Sequence, residues 1–450
     1  MLASTPFGNA EDVYNWLSTF INFEKGSQQW NFNLDIMNRL AEIAGHPEKC
    51  APAFHVAGSK GKGSVTGMIA AILESAGMKT ARYASPHVSD FRERIAIGNS
   101  FFDEETYALA GTELAELAKQ VKLKDDERLS YFELFTMWFF LCARLSRCNA
   151  MAVETGMGGR LDATNILDPA VSVITIIELE HTEYLGNTIA AIAAEKAGII
   201  KQGRPLILAE QSVQALDVFR EHAERRSSPL FYFPDCGEIK NTRVEKAGTT
   251  FDLVINSETI PGLFLPIPGE VQAKNAGLAA LAVKTVFPDL QNHCLYNGFK
   301  TFSLPARFEK ISSTPLFIVD GAHTKTSVKT CLDTFVSLYG DGGILLFGCA
   351  EGKDVLSMAK LCVPHFSRII ITKPGTFKKS SVEEIHAAFI QAAETQKVRP
   401  EIIFLPDTEK AVDLAIQLAA KHGLPVLGTG SFYLAGEIRS KVNLKNQRPN

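Results

Sequence analysis

A chain of 450 residues is longer than one ordinary hydrophobic core, so two or three domains are expected. Its 46% hydrophobic and 21% charged residues are the balance of a soluble globular protein, which excludes a disordered or fibrous one. A formal net charge of -4 gives no electrostatic reason to expect nucleic acid as a partner, and the 8 scattered cysteines, with no close Cys-x-x-Cys pair, read as reduced core thiols of a cytosolic protein rather than a disulfide framework or a zinc site.

Met1 to Asp12 lacks a basic segment followed by an apolar run, so no secretory signal is expected. Phe54 to Ala57 reads as a strand running into a glycine-rich loop, and Ser64 to Ser75 as the helix after it, stopped by Gly77. Tyr131 to Leu145 is the most apolar stretch. It carries Glu133 and Arg144 and falls short of the ~20 apolar residues of a spanning helix, so a buried helix is expected and no membrane. Ala150 to Glu154, Val171 to Ile176 and Pro205 to Leu208 read as buried strands, with a helix over Thr188 to Ala197. This alternation predicts a mostly parallel sheet covered by helices. From Asn241 to Pro266 the texture changes to short alternating strands, read as an antiparallel edge, and a helix with Asn275 to Val286 follows. Phe302 to Pro305 reads as a hinge. Beyond it the alternation restarts, with strands at Leu316 to Val319, Ile344 to Phe347, Arg368 to Thr372, Glu401 to Leu405 and Pro425 to Leu427. The expected fold is therefore α/β: an N-terminal P-loop-type, mostly parallel sheet domain with helices on both faces, residues 1–301, and a C-terminal Rossmann-like α/β domain, residues 305–450.

A strand, a glycine turn and a helix start make an anion site, because free backbone N–H groups and the helix dipole face the ligand. The segment Gly58-Ser59-Lys60-Gly61-Lys62-Gly63-Ser64 has this form. Lys62 would reach the outer phosphates of a nucleotide, and a hydroxyl at the helix start would meet the accompanying magnesium. The general expression G-x-x-x-x-G-K-[ST] does not fit, since Val56 stands at the first glycine and Gly63 separates Lys62 from Ser64. A glycine-rich turn with a solvated lysine is the alternative. Glu154 and His181 each follow an apolar strand, and ligands of open α/β sheets gather at strand carboxyl ends. A carboxylate and a neutral imidazole suit a magnesium ion whose other ligands are water and phosphate. Lys196 lies near the end of a helix. Taken singly, Glu154 is also readable as a cap, His181 as a core side chain and Lys196 as a complement to the helix dipole.

Together these segments resemble the folylpolyglutamate synthase/dihydrofolate synthase family of the Mur ligase superfamily. The resemblance rests on the glycine loop, Ala84 to Val88, Phe91-Arg92-Glu93-Arg94-Ile95, Glu154 to Asn165, His181-Thr182, Glu195 to Lys201, Ala306-Arg307-Phe308-Glu309 and Asp320-Gly321-Ala322-His323, in the family's order. It implies ATP and Mg2+ as cofactors and an active site in the cleft between two domains. Gly58, Ser59, Lys60, Gly61, Lys62, Gly63 and Ser64 would meet the phosphates. Ser85, Glu154 and His181 would surround one magnesium, and Lys196, carbamylated, would help hold a second. Arg307 and Asp320 would contact the nucleotide, Asn275 would face adenine, and His323 and Ser431 are candidates for the incoming glutamate. The pterin end needs a partly aromatic pocket, for which Phe23 and the segment through Trp30 and Phe32 are candidates, an ordinary amphipathic helix being the alternative.

The implied reaction joins L-glutamate to dihydropteroate or a reduced folate. The substrate carboxylate takes the γ-phosphoryl group, and the glutamate amine displaces phosphate from the acyl phosphate. Catalysis would rest on Lys62, Lys196, His181 and Glu154, with no protein nucleophile, in a cytoplasmic monomer. The chain departs from the family at Ser59-Lys60, Glu180, Val271, Thr324 and Lys325. Other readings are a Mur-type ligase acting on a cell-wall precursor and a P-loop ATPase without ligase activity. A nicotinamide enzyme is disfavoured because Gly428-Thr429-Gly430-Ser431 lacks a third glycine.

Overall fold

Unbroken apolar runs make strands that are buried on both faces. β1 (Ala53–Ala57) and β5 (Ala150–Glu154) are buried at every position. They lie at the centre of an eight-stranded sheet that also holds β2 (Thr80–Tyr83), β3 (Ile95–Ile97), β4 (Ser100–Phe101), β6 (Val171–Ile174), β7 (Leu206–Leu208) and β8 (Leu230–Tyr232). The strand order is β4-β3-β2-β5-β1-β6-β7-β8. All pairs are parallel except those of β3 and β4, which close one edge antiparallel. This computed structural model describes residues 6–22, 33–375 and 379–446.

Alternate residues of each central strand feed opposite cores. Val56, Ala152 and Val173 pack with Val65, Ile69 and Leu278 from the helices Lys62–Ser75 and Glu270–Val286. Met151 and Val153 pack on the other face with Tyr107, Phe135 and Trp138, from the helices Glu104–Gln120 and Tyr131–Leu145. The apolar Tyr131–Leu145 segment is thus core, with Glu133 spent on a capping box with Ser130. No helix among the described residues is long and apolar enough to cross a membrane.

The antiparallel segment is not an edge of the main sheet. β9 (Gly237–Glu245), β10 (Gly248–Ile255) and β11 (Glu258–Leu265) form a three-stranded sheet of their own. Asn256 and Ser257, with φ of 51 and 66, make a tight two-residue turn between β10 and β11. β10 buries alternate residues, including Phe251 and Leu253, in the core beside the helix Glu270–Val286. A third sheet runs β12 (Glu309–Ser313), β13 (Leu316–Val319), β17 (Val426–Thr429), β14 (Gly343–Phe347), β15 (Phe366–Ile371), β16 (Glu401–Phe404) in spatial order. It is parallel except for β12. The α/β class and the two sheet systems follow the sequence reading, and most strand ends agree within two residues. Of the cysteines, Cys50 is exposed and Cys236 half-buried rather than core, and the other six are buried.

The helix Lys62–Ser75 begins two residues earlier than expected because Gly61, at φ 90, takes the turn into it. Its far flank is pressed against the helix Asn292–Thr301 at Gly298, where a Cβ would come within 2.6 Å of the Ile72 Cα. Backbone meets backbone there, so relief requires moving a helix. Gly298→Ala is expected to cost about 1–3 kcal/mol, read as a lower urea midpoint at unchanged slope. An unchanged midpoint would show that the two helices slide apart freely.

Candidate active site at the strand carboxyl ends

Parallel register sets Val56 beside Glu154 and Ala57 beside Ile174. Tyr83 of β2 lies beside Val153. The loops after β1, β2, β5 and β6 therefore leave the sheet side by side, where an open parallel sheet forms its ligand crevice.

The glycine loop is shaped by close approach. Gly58 has φ +145, and a Cβ there would lie 1.8 Å from Thr175 Oγ1. Gly61 would meet Asn275 Oδ1 at 2.7 Å. Asn275 thus lies against the phosphate loop itself. Ser59 N donates to Ile176 O at 2.9 Å and its hydroxyl to Glu178 O at 3.0 Å, pinning the loop to the segment after β6. The first N–H groups of the helix Lys62–Ser75 have no acceptor within the helix, so they remain available to an anion. Burial lowers the Lys60 pKa against the pull of Glu180, with Lys62 lowering it further.

Glu154 ends β5 and is buried. Its Oε2 accepts the Ser85 N–H at 3.3 Å and lies 3.3 Å from where a Gly63 Cβ would stand, beside the helix start. Burial raises its pKa, and Lys62, the Ser85 N–H, Arg307 and Arg82 hold it down. A second group lies around Lys196, which is 1% exposed. Its ammonium donates to Gly58 O at 2.8 Å and to Glu180 Oε1 at 2.9 Å. Burial brings this lysine down to about 8 despite the attraction of Glu180. Burial pushes the Glu180 carboxyl up, but Lys62, Lys196 and Lys60 outweigh it and bring it to about 2. His181, with φ 47, sits next to this pair at the exposed mouth of the crevice, where partial desolvation and the neighbouring lysines lower its pKa and favour the neutral imidazole. Lys62 acts electrostatically on Glu154, Glu180, His181 and Lys196, so both groups belong to one field.

The Gly158 to Asn165 run places Lys196. A Cβ on Gly159 would be 2.9 Å from the carbonyl oxygens of Glu195 and Lys196, and one on Gly198 would be 2.4 Å from the Arg160 Cα. Asn165 Nδ2 donates to Arg160 O and Gly198 O at 3.0 and 3.1 Å. Asp162 folds the run back on itself, accepting the Gly156 and Met157 N–H groups at 2.9 Å.

The C-terminal part adds Arg307 on a turn whose flanking Ala306 and Phe308 have φ of 53 and 46. Left-handed backbone at such residues costs about 1–3 kcal/mol each. The turn is braced by Glu309, which accepts the Ala306 N–H at 2.9 Å, and by Asp320, which accepts the Phe308 N–H at 2.8 Å. The other Asp320 oxygen takes the Ala322 N–H at 2.8 Å, so both oxygens support backbone. The Arg307 guanidinium stacks on Phe432, 4.2 Å from the ring centroid. His323 Nδ1 donates to Gly321 O at 2.9 Å, and burial takes its pKa to about 3. Ser431 is buried, and its hydroxyl accepts the Tyr433 N–H at 3.1 Å. Phe23, Trp30 and Phe32 lie outside the described residues.

Residues 56–283 match the Mur ligase middle domain, and residues 306–432 the Mur ligase glutamate ligase domain. The dihydrofolate synthase/folylpolyglutamate synthase of Bacillus subtilis is 32% identical over 418 residues, covering 90% of this chain and 94% of its own. The chain belongs to the folylpolyglutamate synthase/dihydrofolate synthase family of Mur ligases. A Mycobacterium tuberculosis folylpolyglutamate synthase, solved with ADP and AMPPCP, superposes with a TM-score of 0.87 at 25% identity over 98% of this chain and 99% of that one. The Lacticaseibacillus casei folylpolyglutamate synthase is 28% identical over 416 residues, covering 90% and 92% of the two chains.

In this family member, no three His, Cys, Asp or Glu side chains among the described residues form a metal cage by themselves. Glu154, Ser85 and His181 offer one carboxylate, one hydroxyl and one imidazole, which fits a magnesium ion that keeps waters and takes phosphate oxygens. Arg82 and Phe432 are neighbours of the site that the sequence reading missed. Arg82 lies on a four-residue strand too short to show a pattern, and Phe432 follows Ser431 as a lone aromatic whose role depends on its tertiary contact with Arg307.

Glu180→Gln removes the carboxylate of a buried pair. The variant is expected to lose about 3 kcal/mol of stability at pH 7. The folded pKa of Glu180 is depressed, so its contribution is fully present above its ordinary value near 4.5 and fades as pH falls toward 2. The gap between wild type and variant should narrow across that window in urea titrations. A gap constant with pH would show that the carboxylate is not ion-paired.

Proposed function

We propose that this chain is an ATP-dependent ligase that adds L-glutamate to reduced folates and to dihydropteroate through an acyl phosphate, releasing ADP and phosphate. The observation that carries the reading is the meeting at Glu154. Lys62 from the glycine-loop helix and Arg307 from beyond the hinge both act on this buried carboxylate. A ligase that must align a nucleotide with two further anionic substrates needs cations from both sides of one crevice. The B. subtilis relative carries both activity names, and the M. tuberculosis neighbour was solved with ADP and AMPPCP.

On this reading the Gly58–Ser64 loop and Lys62 hold the phosphates in line with the substrate carboxylate. The carboxylate oxygen bonds to the γ-phosphorus as the bond to ADP breaks. The glutamate amine then attacks the acyl carbon, phosphate departs, and the amine proton is lost. Arg307 faces the nucleotide, with Asp320 and Phe432 fixing its direction. Asn275 supports the loop at the adenine side, and His323 and Ser431 line the glutamate side. Ser85, Glu154 and His181 would hold one magnesium and carbamylated Lys196 a second. Magnesium supplies charge neutralisation of the transferring phosphoryl group. The depressed pKa of Lys196 leaves more free amine than an ordinary lysine has at pH 7, which favours addition of CO2 with loss of a proton. Residues 1–301 and 305–450 act as the two closing domains of a cytoplasmic monomer.

The test is incubation with ATP, magnesium, labelled L-glutamate and either dihydropteroate or tetrahydrofolate. Glutamylated product and ADP are expected in equal amounts. ADP without product from either acceptor would leave a P-loop ATPase in place of a ligase. Lys196→Ala is expected to lower kcat about 100-fold or more, with bicarbonate giving no rescue. Near-normal turnover in that variant would take Lys196 out of the site.

A further inference from the structure

The loop that carries Ser85 and the turn that carries Arg307 come from opposite ends of the chain, yet one side chain touches the supports of both. Arg439 lies on the helix Phe432–Asn446, which rests directly on the Ser85 loop: a Cβ on Gly436 would stand 2.1 Å from Val88 O. Arg439 Nη1 donates to Ser89 Oγ at 3.1 Å and lies 3.6 Å from Glu93 Oε1. Its Nε donates to Glu309 Oε1 at 2.9 Å. Its side chain is 25% exposed, and those of Glu93 and Glu309 are 14% and 26% exposed, so the network is shielded from much of the solvent.

Each carboxylate spends its remaining capacity on backbone that bears a site residue. Glu93 accepts the Val88 N–H at 2.6 Å and the Ser89 and Asp90 N–H groups at 3.3 Å, which fixes the loop leading from Ser85. Glu309 accepts the Ala306 N–H at 2.9 Å and so holds the strained turn that presents Arg307. A guanidinium has donors on two sides of a planar fork and can face both acids, which a point-charge ammonium does less well.

We propose that Arg439 is a positioning residue: by binding Glu93 and Glu309 together it sets the Ser85 loop against the Arg307 turn, so that the crevice is assembled only when the two parts of the chain are docked. The inference rests on Ser85 and Arg307 acting in the proposed reaction. Arg439 touches no reacting atom. It works through two carboxylates, and displacement of either loop by about 1 Å is enough to cost catalysis up to ~100-fold.

Arg439→Met keeps the packing of the stem and removes the fork. It is expected to lower kcat/KM for ATP between about 10- and 100-fold in the full chain, assayed well below its melting temperature. Glu93→Gln and Glu309→Gln retain one oxygen for the backbone N–H groups and lose the charge together with the second acceptor oxygen. Each should reproduce part of the loss, and neither should add more than about two-fold in the Arg439→Met background, since coupled residues are non-additive. Arg439→Lys should recover only part of the activity. If Arg439→Met fails to fold, the Glu93→Gln/Glu309→Gln variant, which keeps Arg439, carries the same expectation. Kinetic constants within two-fold of wild type in these variants, or strictly additive losses, would overturn the tie. A wild-type protein that makes no glutamylated product would instead overturn the proposed function. The tie is then read from calorimetric affinity for AMPPCP, expected to weaken in Arg439→Met and to be unchanged if the tie is wrong.

Discussion

In the unmodified chain, the crevice depends on satisfying one buried ammonium. Lys196 reaches the core end of its helix with two acceptors, the Gly58 carbonyl and the Glu180 carboxylate. An unpaired charge at that depth would cost several kcal/mol, so the three elements that meet there are held in one arrangement. The glycine loop, the segment after β6 and the helix Ile189–Ala197 therefore keep a common geometry. The fit of Gly58 over Thr175 and of Gly61 under Asn275 is the steric side of the same constraint. The glycines of the Gly158 to Asn165 run, and Asn165 itself, seat the end of that helix.

Glu180, a departure from the family's usual aspartate, fits this picture. In this chain the longer side chain ends 2.9 Å from Lys196. Lys60, a departure within the glycine loop, lies in the same electrostatic neighbourhood and helps keep Glu180 ionised. Of the two changes, Lys60 adds a positive charge to the cluster, and Glu180 lengthens an acid without changing its charge.

Much of the fold was legible because its central strands are buried on both faces and appear as unbroken apolar runs, as at Ala150 to Glu154. The short strands β2, β3, β4 and β8 and the mostly polar β12, Glu309–Ser313, escaped notice. The phosphate and metal candidates were legible through resemblance, and parallel register explains why Gly58, Glu154 and His181, far apart in sequence, face one crevice. What sequence did not disclose depends on tertiary approach. Asn275, expected to face adenine, lies close enough to Gly61 that a Cβ there would stand 2.7 Å from its Oδ1. Asp320 braces a turn with both oxygens. Phe432 and Arg439 owe their roles to partners more than 100 residues away.

The placement of β17 bears on how the chain is made. This strand, Val426–Thr429, lies in the interior of the third sheet, between β13 and β14, although it is the last of the six to leave the ribosome. Until it inserts, β13 and β14 have no common neighbour, and the pairing it completes with β13 spans more than 100 residues of chain. Such long-range closure is slow compared with local helix formation. Phe432 and Arg439 follow β17 directly, so the parts that orient Arg307 arrive with the final closure of the sheet. Assembly of the crevice is therefore coupled to the emergence of β17 and the helix after it, and the strands that carry the glycine loop are made well before.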